Sequence, residues 1–162
     1  MRRVFLALLC LSLILAGCDG SDAAGTPRFA ILLVDENINS EDAPPDTERV
    51  PASPESVGLP VAFWLRREGG MSGPFVADAR VIAAPDGQPA VEFTLTPAGR
   101  DRFAALTRTN IGRRVAVVVN GAVVASSVIG AEMTDGRAML SGNYTEAQAR
   151  SLADELIATA SP

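Results

Sequence analysis

Gly87–Ile129 reads GQPAVEFTLTPAGRDRFAALTRTNIGRRVAVVVNGAVVASSVI, which is a strand, a helix and a hairpin in direct succession. Ala90 to Leu95 alternates, with Val91, Phe93 and Leu95 on one face and Glu92 and Thr94 on the other, the pattern of a half-buried strand. Thr96-Pro97 opens a helix, because threonine at the cap accepts from an orphan N–H and proline at the first helical position gives up a donor that had no partner. The helix is expected to run to about Asn110. Phe103, Leu106 and Asn110 share one face with Gly99 beneath them, while Arg100, Asp101 and Arg108 take the wet side. Gly112 suits the left-handed position that closes a helix. Val115 to Val119 is apolar on both faces and reads as a central strand; Asn120-Gly121 favours a type I′ turn, so Ala122 to Ile129 should return antiparallel beside it. The fold class this implies is α+β, a mixed and largely antiparallel sheet with two helices packed on it.

The flanks extend the pattern. Arg28 to Asp35 (RFAILLVD) is an unbroken apolar run with aromatic and β-branched residues, expected as a strand. Glu36 to Gly58 holds Pro44, Pro45, Pro51 and Pro54, with six acids against the single base Arg49, and is expected as a disordered acidic insertion. In Val61 to Arg66, alternation groups Val61, Phe63 and Leu65 on one face and Ala62, Trp64 and Arg66 on the other, which makes Trp64 either a packed residue or a partner-binding aromatic. Gly69, Gly70, Gly73 and Pro74 read as a flexible turn before a strand at Ala79 to Ala84, and Pro85-Asp86-Gly87 as the next turn. Beyond the Asp135-Gly136 turn, a short strand is expected at Ala138 to Ser141. Thr145 and Gln148 then form a capping box for a last helix, whose core stripe is Ala149, Leu152, Ala153, Leu156 and Ile157.

Composition narrows the chemistry. The chain has no histidine and no lysine, so a histidine pH switch and the usual nucleophilic dyads are unavailable. Without Arg2 and Arg3, the 14 bases fall to 12 against 19 acids, a net charge of −7 that does not attract nucleic acid or anionic headgroups. Ser126-Ser127 has no base beside it, no glycine loop cradles phosphate, and the acids of Glu36–Glu55 lack a calcium-loop pattern. Neither an enzyme nor a cofactor, metal site or small-molecule substrate is expected.

At the N-terminus, Arg2 and Arg3 precede the apolar run Val4–Ala16, and Leu15-Ala16-Gly17-Cys18 sets small residues before a cysteine, as lipoprotein processing requires. A helix over that run reaches only about 20 Å, short of the roughly 30 Å hydrocarbon core, so it reads as a signal and not an anchor. An ordinary secretory signal is the alternative, but it leaves the thiol of Cys18 without a role. Cys10 departs with the signal, so the mature chain has Cys18 alone and no internal disulfide. The expected organisation is a signal peptide over 1–17, a lipidated tether over 18–27 attached at Cys18, a folded domain over 28–158 with the insertion at 36–58, and a tail over 159–162.

Three motifs in fixed order carry a family resemblance: Phe93-Thr94-Leu95 with Gly99; Phe103, Leu106-Thr107 and Asn110-Ile111-Gly112 ahead of the hairpin; and Ser141-Gly142-Asn143-Tyr144-Thr145 with Ala149. With weaker support from RFAILLVDE and SGPFVADARV, the chain resembles the head part of the first periplasmic domain of SecD and SecDF, membrane subunits that assist Sec-dependent export. It departs at Asn120-Gly121, where the family usually has Asp-Gly, and at Ser127, where it usually has proline. SecD's transmembrane helices have no counterpart up to Pro162, so energy transduction by this chain alone is not expected.

The resemblance implies a non-enzymatic, membrane-anchored binding module whose partners are unfolded exported polypeptides or Sec translocon components, met through an exposed sheet edge or the hairpin. The expected location is the periplasmic side of a membrane, held by the N-terminal lipid; Asp19 after the lipidated cysteine resembles an inner-membrane retention signal. The competing expectation is a structural or assembly lipoprotein of the cell envelope that keeps the fold without an export role, since fold alone does not fix function.

Overall fold

In a computed structural model, described for residues 28–38, 43–56 and 58–160, the elements run β1 (Phe29–Val34), β2 (Thr47–Pro51), β3 (Ala62–Ser72), β4 (Val76–Ala83), β5 (Pro89–Leu95), α1 (Pro97–Thr109), β6 (Arg114–Val119), β7 (Ala122–Val128), β8 (Arg137–Ser141) and α2 (Glu146–Ala158). The class is the expected α+β, with the strands divided between two sheets. One has the order β2-β3-β1-β6-β7 and the other β4-β5-β8, and every strand pair is antiparallel. The signal, Cys18 and the tether lie outside the described residues.

β1 explains why its sequence has no polar alternation. It is buried on both faces: Phe29, Ile31 and Leu33 enter a core shared with the second sheet and both helices, while Ala30, Leu32 and Val34 enter a second core inside the curl of the five-stranded sheet. Phe29 meets Phe93 edge to face, with ring centroids 5.8 Å apart, and joins the two sheets. On the second sheet, Val91, Phe93 and Leu95 are buried as their alternation predicted, and α2 packs across β4 and β5.

The acidic segment departs from expectation. Thr47–Pro51 is an edge strand paired with β3, and Val50, opposite Phe63, is 3% exposed in the second core. Ala52 bridges Val123 in parallel and Ser53 donates its N–H to the Val123 carbonyl, so the segment carries the first edge of the curled sheet round to the last. Three of its acids are partnered from elsewhere: Glu48 by Arg67 at 2.6 Å, Glu36 by Arg114 at 2.8 Å and Asp46 by Arg66 at 3.9 Å. A reading confined to the segment finds only Arg49 as a base; the ordering charges sit on β3 and β6.

Gly69 and Gly70, expected in a turn, belong to the interior of β3. Ile31 pairs with Met71 and Leu33 with Arg66, so two steps along β1 span five along β3. The extra residues are odd in number, which reverses the faces: Phe63 and Leu65 point into the second core, and Met71 into the first. Gly69 has φ +75°, and a Cβ on Gly70 would lie 2.7 Å from a Leu32 methyl. Val61, grouped by alternation with Phe63, precedes the strand and is 85% exposed. Ile157 likewise leaves the expected stripe of α2, being exposed while Ala149, Leu152, Ala153 and Leu156 are buried.

Local chemistry holds elsewhere. Thr96 Oγ1 accepts from Gly99 at 3.1 Å, Thr145 and Gln148 form the capping box, and Asn120 (φ 47°) with Gly121 (φ 82°) turns the β6–β7 hairpin. Asn110 serves as the C-cap of α1 and is not on its buried face, while Gly112 takes φ 84°.

Candidate polypeptide-binding groove

β8 is short and pairs only with β5, which leaves its other edge unpaired among the described residues. An Asx turn starts it: Asp135 Oδ1 accepts from Arg137 N at 3.3 Å, and Gly136 at φ 66° fits where a Cβ would strike the Arg100 side chain. Across from that edge stands β7, the last strand of the other sheet. Its first half is covered, since Ser53 N, Ser56 Oγ and Tyr144 Oη donate to the carbonyls of Val123 and Val124. Its second half, Ala125–Val128, has no such covering among the described residues.

Between the two edges runs a groove of about 270 Å³. Ile31 of β1 and Phe103 of α1 line it, Val115, Val117, Ala125, Ser126 and Ser127 come from the hairpin strands, and Met133, Ala138, Met139 and Leu140 come from the β8 side, with Arg137 the only charged lining residue. Met133 is held over α1 because its N–H donates to Thr107 Oγ1 at 3.0 Å, and that hydroxyl in turn donates to the Phe103 carbonyl at 2.8 Å. Apolar walls between unpaired strand edges accept an extended segment by main-chain pairing, with alternate side chains entering the groove.

A second cleft, of about 460 Å³, opens at the mouth of the curled sheet. Trp64 belongs here, with Leu59, Pro60 and Phe63 beneath a charged rim of Asp35, Glu36 and Arg114. Asp35 hydrogen-bonds Arg66, and that guanidinium holds its carboxyl below the ordinary carboxylate range, helped by the Asn37 N–H. Burial pushes the phenol of Tyr144 up from its ordinary value. Among the described residues, no cluster of acids or cysteine suits a metal, and no helix is long and apolar enough to cross a membrane.

Several motif residues of the sequence serve the fold. A Cβ on Gly99 would lie 2.8 Å from Phe75 Cβ, Thr107 is fully buried, and Gly142 packs against the Tyr144 ring. Met133, Arg137 and Met139 lie outside those motifs, and the turn at Asp135-Gly136 and the short strand expected after it are what mark their neighbourhood in the sequence.

Two sheets sharing a core, with a helix packed across the smaller one, define the α+β domain found in solved structures of SecDF. One structure, of a membrane component that enhances protein export, superposes with a TM-score of 0.57 at 27% identity, covering 85% of this chain and 66% of that one. Another, SecDF in a super-membrane-facing form, gives 0.56 at 27%, covering 83% and 20%. The family model described as SecDF, P1 head subdomain, matches residues 48–161, and the chain belongs to that family. It is 35% identical over 100 residues to the protein translocase subunit SecDF of Thermus thermophilus and 27% identical over 149 residues to SecD of Calditerrivibrio nitroreducens. These alignments cover 62% and 85% of this chain but only 12% and 29% of the relatives.

Proposed function

We propose that the domain is a non-enzymatic binding module on the periplasmic side of a membrane, accessory to protein export, which receives extended segments of exported polypeptides in the groove between β7 and β8. The observation that carries this reading is the edge of β8, unpaired among the described residues, beside a largely apolar groove. Membership of a family whose relatives are protein translocase subunits supplies the export context. Lipid attachment at Cys18 rests on the sequence Leu15-Ala16-Gly17-Cys18 and gives the module its anchor.

The test is an NMR titration of the soluble form lacking residues 1–18 with an exported polypeptide, unfolded and then folded. The unfolded form alone offers free backbone donors and acceptors, so it alone should shift β8 and Ala125–Val128, with micromolar or weaker affinity because ordering the segment consumes several kcal/mol. Salt should matter little, since Arg137 is the one charge in the lining. Strand resonances that stay still at millimolar peptide would replace this reading with that of a structural envelope lipoprotein.

A further inference from the structure

The chain has four methionines, at positions 1, 71, 133 and 139. Met71 is packed in the main core at 3% exposure, whereas Met133 and Met139 are 36% and 44% exposed and both line the β7–β8 groove. Thioethers in a binding groove supply soft, adaptable apolar contact, which suits segments of varied sequence. They also make the groove chemically sensitive, because oxidation converts each into a polar sulfoxide.

We propose that Met133 and Met139 are an oxidation site that closes the groove to polypeptide, an inference that rests on the docking reading above. The oxidant is a peroxide. A sulfur lone pair attacks one peroxide oxygen, the O–O bond breaks, the sulfur keeps that oxygen as the sulfoxide, and the second oxygen leaves as water. Sulfur is oxidised by two electrons and hydrogen peroxide reduced by two. The new S–O dipole is a strong acceptor, and the apolar lining residues Phe103, Val117, Ala138 and Leu140 carry no side-chain donor for it. An apolar segment entering the groove must then strip water from that dipole and give up the thioether contact. The lining side chains able to donate are those of Ser126, Ser127 and Arg137, the last at the exposed start of β8.

The experiment treats the purified protein with graded hydrogen peroxide and maps oxygen uptake by peptide mass spectrometry. Binding of a short peptide of alternating valine and threonine, with lysine at each end, is then measured before and after treatment. Oxygen should appear at Met133 and Met139 well before Met71, with the melting temperature retained. Peptide affinity should fall about tenfold or more, the effect of desolvating one polar group in an apolar contact. The double variant M133L/M139L, which keeps the apolar volume and has no sulfur to oxidise, should bind equally well before and after peroxide. Equal oxidation of Met71, or binding that survives oxidation of both groove methionines, overturns the inference while leaving the docking reading intact. Failure of the untreated protein and of the double variant to bind peptide overturns the docking reading, and this inference with it.

Discussion

The hydroxyl of Ser56 donates at 2.8 Å to the carbonyl of Val124, a residue 68 positions further along the chain. Tyr144 Oη donates to the same carbonyl at 3.3 Å. One strand-edge acceptor on β7 is thus covered by the segment after β2 and by the residue before the Thr145 cap of α2, and the curled sheet stays shut around its second core. Replacing Ser56 by Ala should cost about 1 to 2 kcal/mol, since a buried hydrogen bond is lost and one acceptor keeps only a longer partner. Urea unfolding checks it.

Val50→Ala tests whether the acidic segment contributes to stability. Two buried carbons are lost opposite Phe63, with an expected effect of about 2 kcal/mol in chemical denaturation. An effect near zero would return residues 47–51 to the status of a loose insertion.

Phe103 and Gly99 test the seat of α1. Phe103→Ala removes a large side chain that is 5% exposed and should cost about 3 to 5 kcal/mol. Gly99→Ala, which in an isolated helix would be favourable, should instead destabilise by about 1 to 3 kcal/mol, because its Cβ meets both Cβ and the carbonyl oxygen of Phe75. Thermal melts of the two variants decide it.

Asp35 and Arg66 give a pH dependence of known sign. The folded carboxyl titrates below its ordinary value of 3.8, mainly through its bond with Arg66, so its contribution to stability is fully present above that value. It is lost as pH falls through the lowered folded value. Asp35→Asn should therefore be less stable than the parent at neutral pH, with the difference shrinking below about pH 4; unfolding curves of the two proteins from pH 7 down to pH 3 measure it.

Cys18→Ser addresses the anchor. The variant should leave the membrane fraction, since two or three acyl chains contributing about 0.8 kcal/mol per buried CH₂ hold a lipoprotein almost irreversibly. Quantitative sedimentation with membranes in high salt would show that something other than lipid holds it.

The groove left little trace in the sequence because its parts are far apart. Val117 and Ala125 lie on one hairpin, Phe103 on the helix before it, and Met139 on a strand of the other sheet. Met133 and Met139 carry no motif, and only the docking of the loop through Thr107 brings Met133 to the wall. Trp64, the residue that stood out as an aromatic, lines the other cleft.

What the sequence determined by itself is whatever depends on neighbours a few residues apart. The Thr96 and Thr145 caps, the Asn120-Gly121 turn, the alternation of β5 and the apolar run of β1 are local chemistry, and each formed where it was expected. Tertiary structure alone decided the rest. Val50 is buried because the curled sheet closes its second core around it, Glu36, Asp46 and Glu48 meet arginines on β3 and β6, and the odd bulge beside Gly70 turns Met71 to the opposite face. Each of these depends on burial or charge supplied from across the chain, and a short window of sequence holds only one side of each contact.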